Sequence, residues 1–325
     1  MSWISIFALA LQTAVGFQGA SYALAATGLN LQFGYTGLSN FGMVGFLLVG
    51  AYGMAIASDQ GWSIWVGLML SIGAAILLGL LLGIPTLRLR ADYLSVVTIA
   101  TAEILRLVVN ARPSAPLTGA ARGIGGLSEN LGFFRPNFIP EGNYGIGSSF
   151  VFTSRQLWSM LIAWSIVLIT TLLMRAWVRS PWGRVLRSIR EDEDAARALG
   201  KNVVVFKLQS FVIGGVIGSL AGALIALNAG SVSPGRWIAP LTFALYTVVI
   251  LGGAGTVWGP IVGAVVYWFI LDFADGLLNN LWFDISDTTS GAIRLGLMGI
   301  GLMMLMVFRP QGLLGSKKEM LASGR

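Results

Sequence analysis

Long apolar runs separated by short polar stretches dominate this chain. A helix needs about 20 apolar residues to cross the hydrocarbon of a bilayer. On that rule the sequence predicts nine spans, over residues 4–28, 33–57, 63–84, 92–109, 156–177, 205–228, 238–253, 257–275 and 290–308. The second and seventh are rich in glycine and are candidates for broken or re-entrant segments, so the range is eight to ten. The predicted fold is an all-α polytopic integral membrane protein, with one transmembrane domain over residues 1–325.

One polar island interrupts the apolar pattern. Residues 175–207 hold eight Lys/Arg and four Asp/Glu. A charged side chain at the bilayer centre costs about 2.5–3.5 kcal/mol even on a lenient scale, so this segment belongs in water between two spans. Ser180 suits a helix N-cap and Pro181 the first helical position. A second start is predicted at Ser188, with Glu191 at the capping-box spacing. Gly200 suits the left-handed residue that ends a helix. Leu186, Ile189, Ala196 and Leu199 are spaced to form one apolar side. The prediction is one or two short amphipathic helices within residues 179–201. The plain alternative is a solvated connector that only fixes topology.

Composition agrees with the pattern. Of 325 residues, 55% are hydrophobic and 11% charged, against about 25% charged in soluble domains. The 43 glycines suit closely packed membrane helices. With no Cys and no His, disulfides, thiol chemistry and His-based metal sites are excluded. The net charge of +7 is explained by topology rather than by nucleic acid. With the N-terminus outside, fourteen basic residues face the cytoplasm and five (Arg112, Arg122, Arg135, Arg155 and Arg236) face outward. That bias makes the island and a tail at 309–325 cytoplasmic, and residues 110–155 an outer loop or small lid. Met1-Ser2-Trp3-Ile4 lacks the basic start of a leader, so the first apolar run reads as a span.

Two stretches carry candidate pathway chemistry. Gly34, Gly37, Ser39 and Asn40 open the second predicted span, and Gly252, Gly253 and Gly255 interrupt the seventh and eighth. Unwound backbone at membrane depth survives only when it is buried in protein or lines a cavity, and glycine-interrupted segments point to a transport path. Tight packing alone explains such glycines equally well. Glu103 and Arg106, three apart on one helix face, read as a structural ion pair.

Several motifs together resemble one family. Asp194-Ala195-Ala196-x-x-x-Gly200 resembles the E-A-A-x-x-x-G core of the cytoplasmic loop of ABC importer permeases, with Asp for Glu. The family's following I-x-L-P is absent, since Ser210-Phe211-Val212-Ile213 stands there. In order along the chain come Leu87-Arg88-Leu89-Arg90-Ala91-Asp92-Tyr93 with Glu103-Ile104-Leu105-Arg106, then Leu117-Thr118-Gly119 with Gly125-Gly126-Leu127. Ser180-Pro181-Trp182-Gly183-Arg184 follows, then Leu251-Gly252-Gly253 with Trp258-Gly259-Pro260, and finally Phe308-Arg309-Pro310-Gln311-Gly312-Leu313. This set is similar to the LivM-type permease subunits of branched-chain amino acid ABC importers. The resemblance implies a multi-pass protein of the bacterial inner membrane that moves branched-chain or other neutral amino acids by alternating access. It implies a LivH-type second permease, two ATP-binding subunits of LivG and LivF type, and a periplasmic amino-acid-binding protein. ATP and Mg would sit on the ATP-binding subunits, leaving this chain with no cofactor and no catalysis of its own. No G-x-x-x-x-G-K-[ST] phosphate loop occurs in it. Arg184, Arg187, Arg190, Glu191, Glu193, Asp194, Ala195, Ala196, Leu199 and Gly200 would form the element that couples to the ATPase. Related permeases carry urea, short amides, ribose or nucleosides, which leaves the cargo open. An ion-coupled secondary transporter is a weaker alternative, because the span interiors are nearly free of ionisable groups. A structural or signalling membrane protein is a third reading.

Overall fold

The centre of the bundle is a helix longer than hydropathy suggests. In the computed structural model, which describes residues 3–87, 91–146, 150–281, 296, 299–300, 303 and 311–315, helix α1 (Trp3–Val15) bends by 41° at Gly16 into α2 (Phe17–Leu29). That helix continues as a π-helical turn over Asn30–Tyr35. The first predicted span therefore ends at Tyr35 rather than Gly28, and Gly34 closes it instead of opening the next. Asn30 and Gln32 look like the polar end of a span, yet both are fully buried. They are satisfied by hydrogen bonds inside the protein, including Gln32 Nε2 to the Phe211 carbonyl at 2.8 Å.

Residues 37–42 are non-helical, and Leu38 and Asn40 within them are buried. Helix α3 (Met43–Asp59) and then α4 (Ile64–Thr86) and α5 (Ala91–Asn110) follow. Residues 110–155 are not a bare loop. They hold α6 (Ala115–Thr118), β1 (Ile124–Gly125), α7 (Leu127–Asn130) and the hairpin of β2 (Asn143–Ile146) and β3 (Phe150–Thr153), with single 3-10 turns. Next come α8 (Ser154–Arg179), the short α9 (Pro181–Glu191) and α10 (Glu193–Ala198), and α11 (Val203–Ala229). Strand β4 (Ser231–Val232) pairs antiparallel with β1, Ile124 opposite Val232, and ties the cap formed by residues 110–155 to the end of α11. Helices α12 (Ala239–Gly252) and α13 (Gly259–Leu281) complete the described bundle.

Helices α2, α3 and α11 form the core. The most apolar stretch of α11 is 78% buried, against 33% for α4 and α8 and 22% for α5. Met69, Leu77 and Leu81 of α4 and Leu168 and Ile169 of α8 point outward instead. Continuous apolar faces of this kind need lipid or a partner to cover them. Interhelical hydrogen bonds such as Ser71 Oγ to the Gly50 carbonyl, 2.6 Å, hold the core where no hydrophobic drive remains between helices.

Among the described residues, five helices are long and apolar enough to cross a membrane singly, and the bent α1–α2 pair makes six. Helices α3 and α12 are apolar but shorter, at 17 and 14 residues. They correspond to the two glycine-rich predicted spans, and both are short because an unwound segment adjoins them. The ninth predicted span, 290–308, lies outside the described residues apart from 296, 299–300 and 303, as does the tail at 309–325 apart from 311–315. Leu313 and Leu314 donate their backbone N–H groups to the carbonyls of Leu251 and Gly252, at 2.9 and 3.0 Å. These bonds satisfy carbonyls that the end of α12 leaves open.

Candidate functional site

The polar island folds as two short helices. Pro181 occupies the first position of α9, and Ser180 precedes it. The Ser180 hydroxyl does not cap, because it donates back to the Trp177 carbonyl at 2.6 Å. The second start is Asp192 rather than Ser188. The Asp192 backbone turns extended, and its Oδ1 accepts from the Ala195 N–H at 2.9 Å. Ser188 stays inside α9, its hydroxyl bonded to the Val185 carbonyl. Burial of Leu186 and Ile189 holds α9 helical past the Ser188 capping signal. Gly200 takes the left-handed conformation, φ +78°, just beyond α10.

The apolar side differs from the predicted one. Leu186 and Ile189 are buried, and Ala196 is 2% exposed against Ile189 and Val203. Leu199 is 78% exposed. The predicted spacing assumes one continuous helix, and the break at Asp192 redirects the faces that follow it. On the other side Glu193 bonds Arg197 at 3.0 Å and also Lys207 of α11, which clamps α10 to the bundle. Asp194 pairs with Arg197 at 3.2 Å and remains solvated. Asp194, Ala195, Leu199, Gly200, Glu191 and Arg184 thus stay on the free surface of the helix pair.

Arg187 and Arg190 are also exposed, but their guanidinium ends reach the bundle. Arg190 Nη1 donates to the Gly34 carbonyl. The Arg187 guanidinium lies over the Tyr35 ring, 5.7 Å from its centroid. Gly34 lies in the π-helical turn that leads into the first helix break and Gly255 in the second break, and these two meet beneath Arg190. A Cβ on Gly34 would sit 2.4 Å from the Gly255 nitrogen, and one on Gly255 would sit 2.7 Å from Arg190 Nη1. Asn30 joins the breaks from the other side. Its Oδ1 accepts from the Gly255 N–H at 2.9 Å, and its Nδ2 donates to the Thr256 carbonyl at 2.8 Å. Gly37, φ +73°, touches the Arg190 stem.

The other path candidates separate from this junction. Asn40 is buried and fully used, donating to Gln32 Oε1 at 2.8 Å and accepting from the Gly42 N–H at 3.0 Å. The Ser39 carbonyl accepts from Ser95 Oγ of α5 at 3.2 Å. Gly252 packs on the Gly259 backbone, and Gly253 packs beside residues 311–315. Phe41 stacks on Tyr246 at 4.5 Å between ring centroids, and Phe33 meets the same ring edge-on at 5.1 Å. Glu103 and Arg106 make two bonds, 2.5 Å (Nη2 to Oε1) and 2.9 Å (Nε to Oε2), on a partly exposed face of α5.

Sequence reasoning overlooks Asn30, Phe41 and Tyr246. A signal for Asn30 exists, since an amide inside an apolar run marks a functional candidate. For the inward turn of Arg190 there is none, because its acceptor lies 156 residues away. Among the described residues, no group of three or more His, Cys, Asp or Glu could hold a metal ion.

A family model described as "Branched-chain amino acid transport system / permease component" matches residues 13–308. The high-affinity branched-chain amino acid transport system permease protein LivM of Salmonella typhimurium is 32% identical over 311 residues, covering 92% of this chain and 69% of that protein. A protein of Methanocaldococcus jannaschii described as "Probable branched-chain amino acid transport permease protein LivM" is 25% identical over 338 residues, with 91% of both chains covered. The LivH permease protein of Salmonella typhimurium is also 25% identical, over 318 residues, with 91% of this chain and 92% of that one covered.

Proposed function

The chain belongs to the permease-component family of branched-chain amino acid transport systems, and we propose from that premise how it divides the work of import. It is a multi-pass membrane permease subunit of an ABC system and not itself an enzyme. In our reading it sits in a bacterial inner membrane and pairs with a LivH-type permease. Its equal reach over LivM and LivH relatives supports two permeases of one fold. Two ATP-binding subunits supply ATP and Mg chemistry from the cytoplasm, and a binding protein delivers a branched-chain or other neutral amino acid from outside. The chain crosses nine times with its N-terminus outside. The fourteen-to-five split of basic residues supports that orientation.

The helix pair α9–α10 is the coupling element, with Asp194, Ala195 and Leu199 offered to the ATPase. The observation that carries this reading is the Arg190 bond to Gly34 at the meeting point of both breaks. A charged donor on a carbonyl at an irregular turn is worth about 1.5–3 kcal/mol. Displacement of α9 by a bound ATPase therefore pulls on α2 and on the α12–α13 connection together. Unwound segments are where a span changes shape at least cost in regular hydrogen bonds.

The cargo is tested by reconstitution. The chain is purified with its partner subunits, placed in proteoliposomes and supplied with labelled leucine, isoleucine, valine, urea or ribose. ATP-dependent uptake of at least one branched-chain amino acid is expected. Uptake of urea or ribose alone would reassign the cargo.

A further inference from the structure

A second feature lies away from the coupling site. An apolar cavity of about 400 Å³ opens between α4, α8, α11 and the cap. Ile64 and Trp65 of α4, Trp158 and Ile162 of α8, and Leu224 of α11 line it, and Phe133 of the cap roofs it. Its size falls within the ~300–1,000 Å³ of small-molecule pockets, but its walls lack the polar groups that would hold a zwitterion. Trp65 lines the cavity while 70% exposed, so the mouth opens sideways onto the apolar outer face of α4.

The rim carries charge of one sign. Arg135 folds its stem against Gly132, a lining residue, and precedes Pro136, another. Arg155 lies over the Phe134 ring at 5.5 Å. It sits one helical turn before Trp158, and so on the same face of α8. Both arginines are exposed, and among the described residues neither takes part in any of the four ion pairs. They are two of only five basic residues on the side that the charge bias places outside. An apolar slot open to the bilayer beneath two exposed cations matches the two ends of one ligand class.

We propose that this cavity is an anionic phospholipid site, with one acyl chain in the slot and the phosphate beside Arg135 and Arg155. The lipid seals the seam between the cap and the outer halves of α4 and α8.

The test uses the transporter complex in nanodiscs of phosphatidylglycerol or phosphatidylcholine, with retained lipid counted by native mass spectrometry. Phosphatidylglycerol is expected to be retained in preference to phosphatidylcholine. The double variant Arg135→Gln/Arg155→Gln should weaken phosphatidylglycerol retention by about thirtyfold, from two cations near an anionic headgroup. Phosphatidylcholine should be unaffected by it. Ala223 of α11 also lines the cavity, and Ala223→Phe, which fills the slot, should weaken both lipids. A photoreactive acyl chain should label residues of the lining. Equal retention of the two lipids in wild type and the arginine variant would overturn the proposal. So would a cross-link from position 65 to another subunit, because protein would then cover the mouth.

Discussion

Leu199→Glu is expected to strip the ATP-binding subunits from the permease. Leu199 is a large apolar side chain, 78% exposed at the end of α10, on a helix pair whose other exposed residues are mostly charged or small. A solvated connector has no need of it there. Truncating a hot-spot side chain costs about 2 kcal/mol or more, or roughly thirtyfold in affinity. A buried carboxylate in the same pocket should cost more. In the isolated permease the change touches no packed neighbour, so stability should move within about 0.5 kcal/mol. Co-purification of the ATP-binding subunits reads the first effect and thermal unfolding of the permease the second. Retained association would remove Leu199 from the docking surface. Ala195→Trp, also on the free side, should act in the same direction by steric clash. Ala196 cannot serve in this test. It is 2% exposed against Ile189 and Val203, so bulk there would break the hairpin whether or not a partner docks.

Gly252→Ala is expected to abolish assembled protein rather than gate transport. A Cβ at Gly252 would lie 1.8 Å from the Gly259 carbonyl oxygen and 2.5 Å from its carbon. Both are backbone atoms at the turn between α12 and α13, so no side chain can swing aside. Overpacking of a tight core costs about 1–3 kcal/mol and occasionally more, and two helix ends must separate here. Gly73, in α4, is the control, since a Cβ there meets nothing within 4 Å. Gly73→Ala should leave the yield of folded complex unchanged, while Gly252→Ala should lose most of it in size-exclusion profiles. Normal yield with lost uptake in Gly252→Ala would show that this glycine serves the path and not the packing.

These two expectations also mark how far the sequence was legible. Hydropathy located the long helices, because lipid demands unbroken apolar runs. It also flagged the glycine-rich segments adjoining α3 and α12, since glycine and small polar residues interrupt such runs visibly. Pro181 and Gly200 were readable because they act through their own backbone. The boundary at Tyr35 was not. Asn30 and Gln32 are polar, and partners such as Gly255, Thr256, Phe211 and Asn40 make them tolerable inside. Ser188-x-x-Glu191 fits a capping box, but burial of Leu186 and Ile189 carries α9 through it to Asp192. The exposure of Leu199 follows from that break. Among the path candidates, Gly34, Gly37 and Gly255 converge on Arg190, whereas Gly252 and Gly253 pack elsewhere. Local spacing cannot distinguish these groups, because the contacts join segments far apart in the chain.

In the proposed mechanism α9 drives the two helix breaks through Arg190. This link is tested most directly by measuring amino acid uptake and ATP hydrolysis on the same proteoliposomes, with wild type, Arg190→Ala and Arg190→Lys. Loss of one charge-assisted hydrogen bond, ~1.5–3 kcal/mol, predicts that Arg190→Ala lowers uptake per ATP by about tenfold or more. The ATP-binding subunits should stay bound and hydrolyse ATP, and Arg190→Lys should recover part of the loss. Unchanged uptake per ATP in Arg190→Ala would show that α9 does not act on the breaks through Arg190.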